Sequence, residues 1–147
     1  MKFLQTEART PLAKIASSCR VPKSTIHYRI RKLEKEGVIQ GYRAILDTDL
    51  LGLDYMAVSL IRGKYGPKYH QRLGKKLASL RGAWVVYFVF GDWDFVVLTR
   101  SKNREDLSKV IDTIISMNEV ERGTTLIVSR ALKEDQRVDL AKPDASL

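Results

Sequence analysis

The chain has 147 residues, enough for one good hydrophobic core or two small ones, and its apolar fraction of 44% and charged fraction of 29% are those of a soluble globular protein. It has no run of eighteen apolar residues, no basic-then-apolar opening segment and a single cysteine, Cys19, which excludes a membrane-spanning helix, a secretory signal, an internal disulfide and a cysteine zinc cluster, and fits a reducing cytoplasm. The formal net charge is +9 and is unevenly spread: residues 1–43 hold ten Lys/Arg against three Glu, residues 44–147 sixteen Lys/Arg against fourteen Asp/Glu, the footprint expected of a front end that meets phosphate.

Thr10 is suited to cap a helix and Pro11 to begin it. Leu12, Ile15 and Ala16 then fall on one stripe at i, i+3, i+4. Cys19-Arg20-Val21-Pro22 breaks the pattern, and Pro22 is tolerated in the first turn of a second helix. In that helix Ile26, Ile30 and Leu33 recur at i, i+4, i+7 and face a core, and Gly37 closes it. At 100° per residue the opposite face carries Ser24, Tyr28, Arg31 and Lys35, flanked by Thr25 and Lys32 on one side and His27 on the other. Two helices joined by a turn of three or four residues make a helix-turn-helix. Small hydroxyls and an imidazole suit base edges in a major groove, while Arg and Lys, with Lys23 at the helix start, suit phosphates.

Val38 to Ile45 reads as a short strand, and Asp47-Thr48-Asp49 with Gly52 as a break. The expected division is therefore a DNA-binding domain over 1–42, a linker strand over 43–53, a second domain over 54–137 and a polar tail over 138–147 that frays. In the second domain, Tyr55–Ile61 reads as a strand. A helix follows from Pro67 to Leu80, with Tyr69, Leu73, Leu77 and Leu80 as its stripe. Ala83–Phe90 is a strand apolar on both faces, with Trp84, Val86, Phe88 and Phe90 on one and Val85, Tyr87 and Val89 on the other. Gly91-Asp92-Trp93-Asp94 is a hairpin turn into Phe95–Thr99. Asn103 or Arg104 opens a helix with Leu107, Val110, Ile111, Ile114 and Ile115 in register, and Thr124–Leu132 is the last strand. The fold class is α+β: an N-terminal (winged) helix-turn-helix domain and a C-terminal ferredoxin-like βαββαβ domain. Two helices cover one face of a four-stranded sheet, so the second apolar face predicts a second subunit packed sheet against sheet.

Arg29-Ile30, Leu33-Glu34, Gly37-Val38-Ile39 and Gly41-Tyr42 follow one long continuous pattern, in which the chain resembles the leucine-responsive/asparagine regulator (Lrp/AsnC) family of prokaryotic transcription factors. Two features depart from it. Met1-Lys2-Phe3-Leu4-Gln5 matches only the second half of the family's first helix, so the expected start is late. Arg20 stands where a turn glycine is common, and a positive φ there would strain it. The resemblance implies a sequence-specific regulator of double-stranded DNA, a homodimer assembling to tetramers or octamers, and an amino-acid effector held between dimers. It also assigns Gly91-Asp92-Trp93-Asp94-Phe95 to that family's Gly-x-x-Asp effector turn. There Asp92 or Asp94 would pair with an ammonium, N–H groups near Gly91 would hold a carboxylate, and Thr124 and Thr125 would add hydroxyls.

No catalytic, metal or cofactor site is expected. The only two histidines, His27 and His70, are far apart, Asp92 and Asp94 are too few for calcium, and Gly63-Lys64-Tyr65-Gly66-Pro67 lacks the ending of a phosphate loop. Two other classes compete. Some sirohaem decarboxylases share this layout, but they need no basic recognition helix. A sheet carrying Trp84, Tyr87, Phe88 and Phe90 could stack RNA bases, but it lacks the Lys/Arg-Gly-Phe signature.

Overall fold

A computed structural model of the chain describes residues 1–140; the expected tail over 138–147 lies mostly outside the described residues. Among the described residues nine elements form in the order α1 (Lys2–Thr6), α2 (Leu12–Cys19), α3 (Lys23–Lys35), β1 (Tyr55–Gly63), α4 (Tyr69–Ala78), β2 (Ala83–Phe88), β3 (Phe95–Ser101), α5 (Arg104–Ile115) and β4 (Val120–Ile127). The described chain divides into two compact units, Asp47–Leu132 and Met1–Leu46 together with residues 133–140. The tail's return to the first unit is made by Gln5, whose side chain accepts the Val138 N–H at 2.7 Å and donates to the Val138 carbonyl at 3.1 Å.

The first unit is built on a small core of Ile15, Ala16 and Ile26, with Leu4, Leu12, Val21 and Ile30 against it. Burying a side chain such as Ile26 contributes roughly 2–3 kcal/mol. Three details differ from expectation. Thr10 does not cap α2: its hydroxyl turns back to the Glu7 carbonyl at 2.8 Å, and Pro11 takes the cap position with ψ 136°. Pro22 likewise precedes α3 as its cap, with ψ 148°. No strand forms over 38–45 or 43–53, because no neighbouring segment of the chain offers the ladder partner that a strand requires. The turn between α2 and α3 is as the sequence implies: Arg20 holds the left-handed conformation at φ 53° and ψ 44°, a strain of roughly 1–2 kcal/mol for a side-chain-bearing residue.

The second unit is an antiparallel sheet in the order β2-β3-β1-β4, the ferredoxin-like arrangement. Strand alternation sends Ala57, Ser59, Ile61, Phe95, Val97 and Thr99 to the helix side, where all are buried. Ile61, Leu73, Leu77, Phe95, Val97 and Ile114 form the core between the sheet and helices α4 and α5. The opposite face carries Val58, Leu60, Val96 and Leu98, with Tyr87 at 59% and Leu126 at 53% exposure. The unit adds no second layer there, since both of its helices pack on the first face.

Strand limits moved for identifiable reasons. β2 stops at Phe88, because the Val89 N–H closes onto the Asp94 carbonyl at 2.8 Å, and Phe90 swings out to 95% exposure. A bulge between Ala83 and Val85 breaks the simple alternation, and Trp84 lies against Arg100, whose Cζ is 5.9 Å from its ring. It therefore does not share a face with Val86 and Phe88. β4 begins four residues early, at Val120, which pairs with Gly63 and packs on the core; Glu121-Arg122-Gly123 join an edge strand, where polar residues are tolerated.

Gly82 sits at φ +85°, and a Cβ there would lie 2.5 Å from the Arg100 carbonyl oxygen. Gly52 has a similar φ of +64° with open space around it. Urea denaturation should therefore separate the two effects. Gly52→Ala is expected to cost about 1 kcal/mol from backbone strain alone, and Gly82→Ala at least twice that, because backbone must move.

Candidate DNA-binding helix and effector turn

Helix α3 turns Ile26 into the core and leaves the other side bare. Lys23, Ser24, His27, Tyr28, Arg31, Lys32 and Lys35 are exposed, Tyr28 at 68%, and Thr25 is half-buried. The short polar groups sit at the N-terminal end and the cations further on, as the helical phase requires. Arg31 pairs with Glu34 at 3.5 Å and Lys32 with Glu36 at 3.8 Å. Glu34 also accepts the Tyr42 hydroxyl at 2.9 Å. Desolvation, and then that bond, raise the Tyr42 phenol above its ordinary value near 10.0. Exposed pairs of this kind contribute little to stability, so Arg31 and Lys32 are only weakly held by their carboxylates.

The second site is the 91–94 turn. Asp94 is buried and already committed. Its Oδ2 accepts the Gly63 N–H at 2.8 Å and its Oδ1 the Tyr69 hydroxyl at 3.3 Å. The Asp94 N–H in turn donates to the Ile61 carbonyl at 3.0 Å. Gly63 permits this approach, since a Cβ would meet Leu73 Cδ2 at 3.0 Å and Tyr69 Cδ2 at 3.1 Å. Desolvation, and then the Asp94 charge, raise the Tyr69 phenol above 10.0. Asp94 thus fastens the turn to β1 and α4, whereas Asp92 is exposed.

The threonines separate. Both lie within β4 rather than at its start. Thr125 Oγ1 is 2.9 Å from Ser59 Oγ on the helix side, so its hydroxyl is spent inside the sheet. Thr124 opposes Leu60 on the other face and is exposed.

Sequence reasoning missed two residues that grip the turn. Arg62 donates to the Asp92 carbonyl at 2.8 Å and to the Tyr65 hydroxyl at 3.0 Å. Arg122 lies over the Trp93 ring, with Cζ 5.0 Å from its centre. Both lie in strand extensions beyond the expected limits at Ile61 and Thr124; the signal available was the alternation Val58, Leu60, Arg62, which continues one step past Ile61. Among the described residues no group of three or more His, Cys, Asp or Glu comes together as a metal site would need, and no helix is long and apolar enough to cross a membrane.

These two units, a helix-turn-helix with a bare polar recognition helix and a ferredoxin-like sheet with a fastened hairpin turn, define a two-domain DNA-binding regulator. Family models agree: the Lrp/AsnC ligand binding domain matches residues 56–138, and a winged helix-turn-helix DNA-binding domain matches residues 1–40. The chain belongs to the Lrp/AsnC family of transcriptional regulators. It is 40% identical over 134 residues to the HTH-type transcriptional regulator FL11 of Pyrococcus horikoshii, covering 91% of this chain and 87% of that one. The FL11 of Pyrococcus furiosus is 36% identical over the same shares. Among solved structures, Escherichia coli AsnC superposes with a TM-score of 0.82 at 28% identity, covering 90% of this chain and 89% of that one. A feast or famine regulatory protein of Mycobacterium tuberculosis, solved in complex with L-methionine, shares the fold with a TM-score of 0.83 at 23% identity, covering 93% and 92%. These relatives favour the regulator over the decarboxylase layout.

Asp94→Ala should leave the buried Gly63 N–H without a partner. A loss of about 2 kcal/mol in urea unfolding is expected, with the Tyr69 phenol moving back toward its ordinary value in ultraviolet titration. Because the folded-state value is raised, this contribution is present below about pH 10 and is lost as pH climbs through the folded value.

Proposed function

We propose that the chain is a sequence-specific DNA-binding regulator that works as a dimer, and in larger assemblies, and responds to an amino acid at the 91–94 turn. The observation that carries the DNA half is the split of α3 into a buried Ile26 side and an exposed side of hydroxyls, imidazole, phenol and cations. Ser24, Thr25, His27 and Tyr28 read base edges; Lys23, Arg31, Lys32 and Lys35 hold phosphates. Two such helices in a dimer address half-sites about one helical turn apart, or a multiple of it.

The dimer reading is supported by the uncovered sheet face, where Val58, Leu60, Val96, Leu98, Tyr87 and Leu126 form an apolar surface without a layer of its own. The effector reading is supported by the family and by the turn's chemistry. Asp92 offers a free carboxylate to an ammonium, and the Gly91 to Trp93 N–H groups enter no backbone bond among the described residues. Thr124 lies on the other face of β4 from Thr125, whose hydroxyl is spent on Ser59. A ligand seated where dimers meet shifts the assembly, and with it the DNA sites that can be engaged together. The L-methionine of the M. tuberculosis relative is in keeping with an effector of this class. No catalytic role is needed for any of these residues, and the reading places the chain in the cytoplasm with the DNA it binds.

Two measurements test this. Arg31→Ala should weaken binding on all duplexes alike and flatten the salt dependence by about one unit of slope, while Ser24→Ala or His27→Ala should blur the preference between sites. Equal loss from both groups on every sequence would overturn the division of roles. Leu98→Arg, on the central strand β3, should convert a sedimenting dimer to monomer; a wild-type chain already monomeric at micromolar concentration would remove the sheet interface.

A further inference from the structure

Arg62 of β1 and Arg122 of β4 are direct cross-strand partners, so their side chains leave the same face of the sheet. Like charges placed opposite one another in a ladder are destabilising, and neither arginine forms an ion pair with a carboxylate among the described residues. Both are nonetheless fixed. Arg62 is held by the Asp92 carbonyl and by Tyr65, whose ring centre is 5.4 Å from its Cζ, and Arg122 by Trp93 at 5.0 Å. Two guanidiniums are thus oriented beside one turn with donors left over, since each has five N–H groups.

We propose that Arg62 and Arg122 form a carboxylate receptor beside the 91–94 turn, and that the effector is an amino acid whose side chain is itself a carboxylate. This rests on the effector reading above and narrows it. The α-ammonium and α-carboxylate of any amino acid are met by Asp92 and the turn N–H groups. The arginine pair is surplus to that need and matches a second carboxylate, which guanidinium forks bind in two-point fashion. The neighbouring acids do not fill the role. Asp94 faces Gly63 and Tyr69, and Glu121, the unpaired residue of the bulge where Arg62 meets Arg122 and Gly63 meets Val120, forms no ion pair with either arginine among the described residues.

Isothermal titration of the full chain with L-glutamate and L-aspartate, against L-glutamine and L-asparagine, tests the pairing of charge. The acids should bind at least about tenfold more tightly than their amides. Arg122→Gln, which spares the Arg62 bond to the turn, should reduce that ratio to near one. Arg122→Lys should restore part of it. Amides binding as tightly as acids in the wild type, or a ratio that survives Arg122→Gln, would overturn the acidic receptor and leave the effector turn standing. Absence of heat from every amino acid at concentrations well above millimolar would overturn both.

Discussion

A four-stranded sheet has two faces, and two helices spread over it cover one. Helices α4 and α5 both lie against the face that carries Ile61, Phe95 and Val97, because βαββαβ connections return each helix to the same side. The other face is also apolar across three of its strands. Nearly every feature of this half of the chain follows from that asymmetry. The covered face supplies stability and anchors the hairpin turn. The uncovered one supplies the surface on which we expect a second copy to sit.

The turn at 91–94 shows how one short segment combines rigidity with open chemistry. Its last residue, Asp94, is buried, and its carboxylate bridges the start of β3 to Gly63 and Tyr69. Removing a charge from water is costly unless it is met by donors, and here two donors meet it. The middle residues stay at the surface, clamped from outside by Arg62 and Arg122. A turn fixed at one end and offering N–H groups along its middle would bind a partner at a lower ordering cost than a mobile one.

The N-terminal unit obeys a different economy. Its core is only a few side chains, built around Ile15, Ala16 and Ile26, and a five-residue α1 leaves an open cleft of about 160 Å³ bordered by Phe3, Leu4 and Ile30. What this core must do is limited: it sets the rotation of α3, so that one side is fixed inward and Ser24, His27, Tyr28 and Arg31 face out. The left-handed Arg20 is part of the same device, since the sharp reversal after α2 is what brings α3 across it.

The sequence by itself determined the class of fold, the family and the phase of α3, because these depend on local periodicity, on Gly and Pro positions and on one long motif. The stripe at Leu73 and Leu77, the cap at Asn103 and the strained Arg20 were legible for the same reason. Only the tertiary structure decided which turn carboxylate is free. Asp92 and Asp94 are alike in sequence, and what separates them is a hydrogen bond to Gly63, thirty-one residues away. The same holds for β4, whose early start depends on pairing with β1, and for Arg62 and Arg122, sixty positions apart in the chain and side by side in the ladder. The strand expected over 38–45 failed for the complementary reason: a strand is a property of two segments, and within this chain that one has no second.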